Sequence, residues 1–321
     1  MGPVEMAQAA EIARMYYVEQ LSKIEIAQRT GLSRFKVARI LADGLAAGIV
    51  KITIELPDSL DADLAGRVGA AYGLQHVLVV RAEAATEDDL RRKLARAAAD
   101  LLTEIVSQDD VLGVGWGRTL TAMAGFLTDL PSCPVVQMTG VTGQDMNNSM
   151  ELVRQITSGS GGRAYPIFAP LLLPDSATAA GLRRQPDLAA ATAQFGAITK
   201  AVVAIGSWDP PNSQLRMVMT PRERDELKQL GVQAELCSGL LDAEGRRVAT
   251  EMNDRMIAVD VQQLHDIPEL IAVAGGETKQ RAVLAVLRSG LVNSLITDDG
   301  VAQFLLDQLP AEHPAPGVDG N

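Results

Sequence analysis

Four cations near the start of the chain lie between Arg29 and Arg39, with no acidic residue among them. Arginine can contact guanine through two hydrogen bonds, while serine and lysine can hold phosphate groups. We assign contacts of this kind to the side chains of Lys23, Ser33, Arg34, Phe35, Lys36 and Arg39. A basic cluster of these residue types indicates a surface that binds DNA.

Two short helices must position these side chains. Residues 21–42 read LSKIEIAQRTGLSRFKVARILA, with apolar residues at helical spacing and an interruption at Gly31. Glycine adopts the left-handed conformation that ends a helix, and Ser33 is a good N-cap for the next one. Two helices joined by such a turn are typical of a helix-turn-helix motif. Its second helix enters the major groove with its N-terminal residues leading.

An ordinary helical hairpin with a solvated charged face is the alternative interpretation of residues 21–42. The neighbouring segments favour DNA binding. A helix predicted over residues 6–19 has apolar residues at Ile12, Met15 and Tyr16 and would complete a three-helix unit. A β-prone stretch, GIVKITI over residues 48–54, follows directly. We therefore predict a DNA-binding head.

Length and composition bound the rest of the molecule. A chain of 321 residues with 47% hydrophobic residues has room for two domains. No apolar run approaches the ~20 residues of a membrane span, and the N-terminus lacks the pattern of a signal peptide. Cys133 and Cys237 are far apart and form neither a disulfide framework nor a zinc site, which fits a cytoplasmic protein. We predict a helix-turn-helix domain over residues 1–56, an effector-binding and oligomerisation domain over 57–309, and a disordered tail over 310–321.

The charge is distributed unevenly along the chain. The formal net charge is −11, yet residues 1–55 contain seven cations against six acids, which leaves about −12 for the remainder. An acidic body with one local basic face suits a protein that touches DNA only through that face. Phosphate neutralisation supplies much of the affinity for DNA, so a single weakly basic head would bind poorly. We infer that two or more heads act together.

From residue 60 onward, short apolar strands alternate with helices. We predict strands at residues 77–80, 110–114, 134–138, 163–168, 200–205, 234–241, 270–274 and 292–297. We predict helices at residues 60–72, 88–106, 119–128, 146–157, 175–195 with an interruption near 186, 222–230, 279–289 and 299–307. This alternation predicts an α/β domain with a doubly wound parallel sheet of Rossmann type.

Ligands of open parallel sheets bind beyond the carboxyl ends of the strands. Three glycine-containing loops follow predicted strands, at residues 115–119, 139–143 and 275–279. In the first, Arg118 offers charge and Thr119 a hydroxyl at a helix start, which could hold phosphate, although many such turns only close the chain. The GxGxxG pattern is absent, so we do not expect NAD. Lys279 would face a bound anion or be solvated, and Glu235 would accept sugar hydroxyls or lie at the surface.

The residues needed for catalysis are few. The three histidines, His76, His265 and His313, form no recognisable signature with a serine or cysteine. Metal-ligand spacing is also absent. We expect no catalytic residues, no metal and no cofactor.

With these residues in view, the chain resembles the SorC/DeoR family of bacterial sugar-responsive transcription regulators. The similarity lies in IARMYY and IAQRTGLSRFKVARILADGLAAGIVKITI of the head, in GVGWGRTL (113–120), FAP (168–170) and AIG (204–206), and in AVAGGETKQRAVLAVLRSGLVNSLITD (272–298). The resemblance implies a head on an effector domain related to sugar-phosphate isomerases but without their catalysis. It also implies a homo-oligomer, typically a tetramer, and operator binding that a sugar or phosphosugar alters.

Carried over to this chain, the resemblance implies effector contacts by Gly115, Gly117, Arg118, Thr119, Thr139, Gly140, Glu235 and Lys279. The chain departs from the family at Ser22 and Lys23, where relatives often have Thr–Gln, and this difference bears on phosphate contacts. It also departs in TGVTG (139–143), which is less glycine-rich at its centre, and this bears on the identity of the effector.

We therefore interpret the chain as a ligand-controlled transcriptional regulator that binds operator DNA and a sugar, polyol or phosphosugar. The main alternative is a sugar-phosphate isomerase-like enzyme with an accessory DNA-binding head. A further alternative is a corepressor that meets DNA only through partners. The enzyme alternative would need a carboxylate with a histidine or lysine at the strand ends.

Overall fold

A computed structural model of the chain describes residues 2–50, 60–82, 85–141 and 146–309. The chain divides into two compact units, Met1–Glu55 and Leu56–Asn321. Several predicted features lie outside the described residues, namely residues 51–54 of the β-prone stretch at 48–54, residues 142–143 of the second glycine-containing loop and the tail at 310–321. No helix in the described ranges is long and apolar enough to cross a membrane.

Three α-helices make up the described part of the first unit, which we call the head. They are α1 (Pro3–Ala13), α2 (Lys23–Thr30) and α3 (Arg34–Ala46). The first helix begins earlier than the predicted 6–19, because proline suits the first helical position. After α1 the chain makes a π-helical turn over Arg14–Val18, which the sequence did not predict. Residues 48–50 form a turn and bends, so the strand predicted at 48–54 does not begin there.

The turn between α2 and α3 has the predicted chemistry. Gly31 has a φ of 70° and ends α2 in the left-handed conformation. The Ser33 hydroxyl accepts a hydrogen bond of 3.2 Å from the backbone N–H of Lys36 and caps α3. Ser22 and Glu25 cap the start of α2 reciprocally. The core of the head is small and consists of Ile12, Ala13, Ile26, Val37 and Leu41.

The second unit contains one sheet. Its strands are β1 (His76–Val80), β2 (Leu112–Val114), β3 (Val135–Gln137), β4 (Ala164–Tyr165), β5 (Lys200–Ser207), β6 (Val232–Leu236), β7 (Gly239–Asp242), β8 (Glu269–Val273) and β9 (Ser294–Asp298). Seven of these described strands run parallel in the order β1-β9-β8-β5-β2-β3-β4. From β2 the chain progresses to β3 and β4 on one side, and from β5 it progresses to β8 and β9 on the other. The topological switch point therefore lies between β2 and β5.

Helices cover both faces of this sheet. They are α4 (Ala62–Tyr72), α5 (Glu87–Ile105), α6 (Arg118–Ala124), α7 (Met146–Ser160), α8 (Ser176–Arg183), α9 (Pro186–Thr192), α10 (Gln214–Val218), α11 (Pro221–Gln229), α12 (Glu251–Arg255), α13 (Val261–His265), α14 (Gln280–Ser289) and α15 (Asp299–Asp307). Strand β5 shows the division between the faces. Ala201 and Val203 belong to one core cluster, while Val202 between them belongs to the other. The predicted doubly wound α/β fold is confirmed.

The largest difference from the prediction concerns residues 232–242. We predicted one extended segment over 234–241 within a parallel sheet. The structure has two antiparallel strands, β6 and β7, and β6 also pairs antiparallel with the end of β5. The reversal occurs at Cys237, a non-glycine residue with a φ of 54°. Such a residue is uncommon at positive φ, so sequence preferences did not indicate a turn there. The short helices α10, α12 and α13 were also not predicted.

Gly66 within α4 and Gly73 at its C-terminal end test whether the left-handed backbone conformation accounts for a glycine at the end of the helix. Gly73 ends the helix with a φ of +66°, whereas Gly66 lies within it, and an added Cβ would contact nothing within 4 Å at either site. We expect Gly73→Ala to lower the free energy of unfolding by about 1 kcal/mol, because left-handed backbone strains an L side chain. Gly66→Ala should raise it by roughly 0.5–1 kcal/mol. Urea unfolding followed by tryptophan fluorescence checks this, since Trp116 and Trp208 both lie in the second unit. Equal effects of the two substitutions would show that the left-handed conformation at Gly73 does not strain an alanine side chain.

Candidate functional site

The N-terminal face of α3 is open to solvent. Ser33, Arg34, Phe35, Lys36 and Arg39 are all exposed, and Lys23 at the start of α2 is exposed as well. The opposite face of α3 turns Val37 and Leu41 into the core of the head. The N-terminal end of α3 therefore presents polar, cationic and aromatic side chains that no described residue of the head buries.

The cations of this face are available to a ligand. The ion pairs of the head join Arg14 and Arg29 to Glu19. Within the described residues, no ion pair involves Arg34, Lys36 or Arg39. An uncompensated basic surface attracts polyanions, and this is the electrostatic footprint of DNA-binding proteins.

The second unit has a cavity of about 310 Å³ at the carboxyl ends of its parallel strands. The segments after β1, β2, β5 and β8 contribute to its wall, and β6 adds Glu235. Because these strands are parallel, their carboxyl ends meet at one edge of the sheet, although the segments are far apart in sequence. The cavity thus lies at the switch point between β2 and β5, where ligands of such sheets bind.

Lys279 connects the segment after β8, to which it belongs, with β5 and the segment after β5. Its ammonium donates hydrogen bonds of 2.6 Å to the backbone carbonyls of Ile205, in β5, and of Asn212, in the segment after β5. Burial lowers the pKa of Lys279 to about 8, against the opposing effect of the Glu235 carboxylate. We predicted Lys279 in the first turn of a helix. It is instead the last residue of a 3₁₀ turn over Glu277–Lys279 and the N-cap of α14.

Glu235 is a carboxyl group in the wall of the cavity and is only 5% exposed. Burial raises its pKa, while the Ser213 hydroxyl, which donates a 2.6 Å hydrogen bond to it, and the Lys279 charge lower it. Gly206 pairs with Glu235 in the sheet, and a Cβ added to Gly206 would lie 2.3 Å from the Glu235 Cγ. The absence of a side chain at Gly206 therefore gives the Glu235 side chain the space it occupies.

Arg118 and Thr119 lie in the cavity wall at the start of α6. The Arg118 guanidinium donates a 3.0 Å hydrogen bond to the Asn212 side-chain carbonyl and lies 3.7 Å from a Glu87 carboxylate oxygen. The Asn212 side-chain amide donates in turn to the Thr278 hydroxyl at 3.1 Å. Asn212 therefore connects the segments after β2, β5 and β8.

Five of the eight predicted effector residues line this one cavity: Gly117, Arg118, Thr119, Glu235 and Lys279. The structure does not bring Gly115, Thr139 and Gly140 to it. A Cβ on Gly115 would lie 3.2 Å from Val203, and one on Gly140 would lie 2.7 Å from two backbone carbonyls, so these glycines serve close packing. Thr139 is fully buried, and its hydroxyl has no hydrogen-bond partner among the described residues.

Other residues of the wall were not predicted from the sequence. They are chiefly Glu87, Arg91, Trp116 and Asn212. Trp116 stands inside the GWGRT loop and could have been included on its position alone. Asn212 follows the Asp-Pro-Pro turn after β5, and Glu87 begins α5, and neither position carries a signal without the fold. The wall as described has three cations, Arg91, Arg118 and Lys279, and three acids, Glu87, Glu235 and Glu277.

This wall suits a polar organic ligand. Carboxylate and carbonyl oxygens accept hydrogen bonds from hydroxyl groups, and the cations donate to oxyanions. Among the described residues, no group of three or more histidine, cysteine, aspartate or glutamate side chains could hold a metal ion.

Comparison with known proteins identifies the second unit. Residues 59–307 match the protein family described as "Putative sugar-binding domain". Over 302 residues the chain is 30% identical to the transcriptional regulator YjhU of Escherichia coli K12, covering 91% of this chain and 92% of that protein. The chain belongs to the SorC family of sugar-responsive transcriptional regulators. The resemblance noted in the sequence is therefore confirmed.

Other relatives agree with this assignment. The chain is 27% identical to the erythritol catabolism regulatory protein EryD of Brucella abortus, covering 96% of this chain and 99% of that protein. The crystal structure of the full-length sorbitol operon regulator SorC from Klebsiella pneumoniae has the same fold. It matches 94% of this chain and 99% of its own, with a TM-score of 0.69 and 22% identity. The interpretation as a ligand-controlled regulator is confirmed, and the enzyme alternative finds no support among the relatives.

The pKa of Lys279 predicts how the binding of an oxyanion in this cavity would respond to pH. If Lys279 binds an oxyanion, only its charged form does so, and that form is lost as pH rises through about 8. We expect the affinity for a sugar phosphate to fall about tenfold between pH 7 and pH 9. Phosphate esters are almost fully ionised across this range, because their second pKa is about 6.

Isothermal titration with the best-binding sugar phosphate from a thermal-shift screen measures this dependence. The control is Lys279→Arg, which stays charged at every pH tested and should flatten the profile. A profile that is equally steep in the arginine variant would show that another group is responsible.

Proposed function

We propose that α3 reads operator DNA with Arg34, Phe35, Lys36 and Arg39, while Lys23 and Ser33 hold phosphates. The observation that carries this proposal is the exposed basic face at the N-terminal end of α3, whose cations form no ion pair with any residue that the structure describes. In helix-turn-helix proteins these are the positions that reach base edges. The protein would work in the cytoplasm, where its DNA target lies.

We propose further that the cavity of the second unit binds the effector. Arg118 and Lys279 provide cationic donors for an oxyanion, and Glu235 accepts hydrogen bonds from hydroxyl groups. Gly117 and Thr119 complete the same wall, whereas Gly115, Thr139 and Gly140 would act on binding only through packing. The arrangement fits a sugar or polyol, and it favours one that carries a phosphate or carboxylate.

A homo-oligomer, either a dimer or a tetramer, follows from the weak charge of the head. Two linked heads gain affinity through effective concentration, which compensates for the small net charge of each. Paired heads require half-sites separated by about one helical turn of DNA, ~34 Å, or a multiple of it. Light scattering at concentrations used for DNA binding tests this, and a monomer that binds operator tightly would contradict it.

The DNA proposal predicts distinct effects for two cations. Arg34→Ala should weaken operator binding by about 5- to 150-fold and relax the base preference, because a bidentate base contact contributes about 1–3 kcal/mol. Lys36→Ala should weaken binding to all sequences alike and flatten the dependence on salt. Gel-shift titrations against competitor DNA measure both effects.

The matched control is Arg222→Ala, which removes the same charge from an exposed position of α11 in the second unit. It should leave operator binding unchanged. If Arg34→Ala and Lys36→Ala together still bound operator normally, the corepressor alternative would be favoured. If the unsubstituted protein showed no sequence preference, the proposed function itself would fail.

The effector proposal predicts an uncoupled variant. Arg118→Ala should bind operator as the unsubstituted protein does but should lose most of the change in DNA affinity that the effector causes. Coupling of about 1–3 kcal/mol corresponds to a 5- to 150-fold change, which should shrink toward onefold. Arg67→Ala, an exposed arginine of α4, is the control. A full effector response in Arg118→Ala would exclude this residue from effector binding.

A further inference from the structure

Phe35 is a large apolar side chain that the head does not use for folding. It is the second residue of α3 and is 72% exposed. The core of the head is formed by other residues, and Phe35 belongs neither to that core nor to the partly buried side chains around it. A phenyl ring left in water contributes almost none of the stabilisation that its burial would provide. Its position therefore suggests a partner outside the head.

The surroundings of Phe35 indicate the kind of partner. The Arg34 guanidinium lies over the ring, 4.7 Å from its centroid. Lys36 and Arg39 are exposed on the same end of the helix, and none of the three cations has an ion-pair partner in the described parts of the chain. An apolar disc surrounded by uncompensated positive charge complements a polyanion that also presents a small apolar group. DNA is such a partner.

The major groove offers one apolar group, the C5-methyl group of thymine, and side chains such as phenylalanine contact it. We propose that Phe35 reads the C5-methyl group of a thymine in each operator half-site. Arg34 covers one face of the ring, so the methyl group would contact the other face or the ring edge. This inference rests on the proposed function, because it requires α3 to enter the major groove.

Removing the methyl group without changing base pairing tests the contact. The full chain first selects its operator from random DNA duplexes, and the selected duplex is then prepared with deoxyuridine in place of each thymidine in turn. Loss of one buried methyl group should weaken binding of the unsubstituted protein about fourfold for each half-site. The effect should be confined to one thymidine position per half-site.

Variants of the protein assign that effect to Phe35. Phe35→Ala should bind the thymidine operator more weakly and should no longer distinguish thymidine from deoxyuridine at that position. Phe168→Ala is the matched control, since Phe168 is also exposed, at 65%, but lies in the second unit. It should discriminate as the unsubstituted protein does. Arg34→Ala should bind weakly yet still discriminate, because it keeps the ring. Circular dichroism shows whether each variant is folded.

The outcomes separate this inference from the proposed function. Equal discrimination by Phe35→Ala and the unsubstituted protein would overturn the assignment to Phe35. Binding that is sensitive to Arg34→Ala but indifferent to deoxyuridine at every position would overturn the methyl contact and leave the proposed function standing. A selection that returned no preferred sequence would overturn both.

Discussion

The buried carboxyl group of Glu235 is the constraint on which the cavity of the second unit depends. A carboxylate removed from water is costly unless hydrogen bonds and an opposite charge compensate it. Here the compensation comes from the Ser213 hydroxyl and from the charge of Lys279. Lys279 in turn is held by backbone carbonyls of β5 and of the segment that follows β5. The buried Glu235 carboxyl group therefore requires Lys279 nearby, and Lys279 in turn requires the backbone carbonyls of Ile205 and Asn212.

The head combines a small buried core with an exposed basic face. Its core has few residues: Ile26 of α2 packs in one cluster with Val37 and Leu41 of α3, and the left-handed turn at Gly31 ends α2. Because α3 contributes only Val37 and Leu41 to this core, the side chains at its N-terminal end remain exposed. The cations of this face are exposed and stay hydrated, so carrying them without an ion-pair partner among the described residues costs little.

Much of this architecture could be predicted from local signals. Gly31 and Ser33 indicate the turn by conformational preference, and short apolar runs such as residues 200–205 favour strands that are buried on both faces of a sheet. The antiparallel pair β6–β7 could not be predicted, because its reversal uses a cysteine where turn residues are expected. The cavity was only partly predictable for a similar reason. A glycine-rich loop can be recognised from the sequence alone. Asn212 cannot, because its partners Arg118 and Thr278 are 94 and 66 residues away along the chain.

The wall of the cavity restricts which ligands can bind there by more than their size. Its three cations and three acids balance, so the described wall exerts no strong net attraction on an anion as a whole. Discrimination must come from placement: an oxyanion is favoured only where Arg118 and Lys279 are near, and a hydroxyl only where Glu235 can accept from it. Sites built from buried polar groups reject analogues that leave those groups unpaired far more strongly than apolar sites reject a missing methylene. A cavity of this type would distinguish ligands by the position of their hydroxyl groups rather than by bulk.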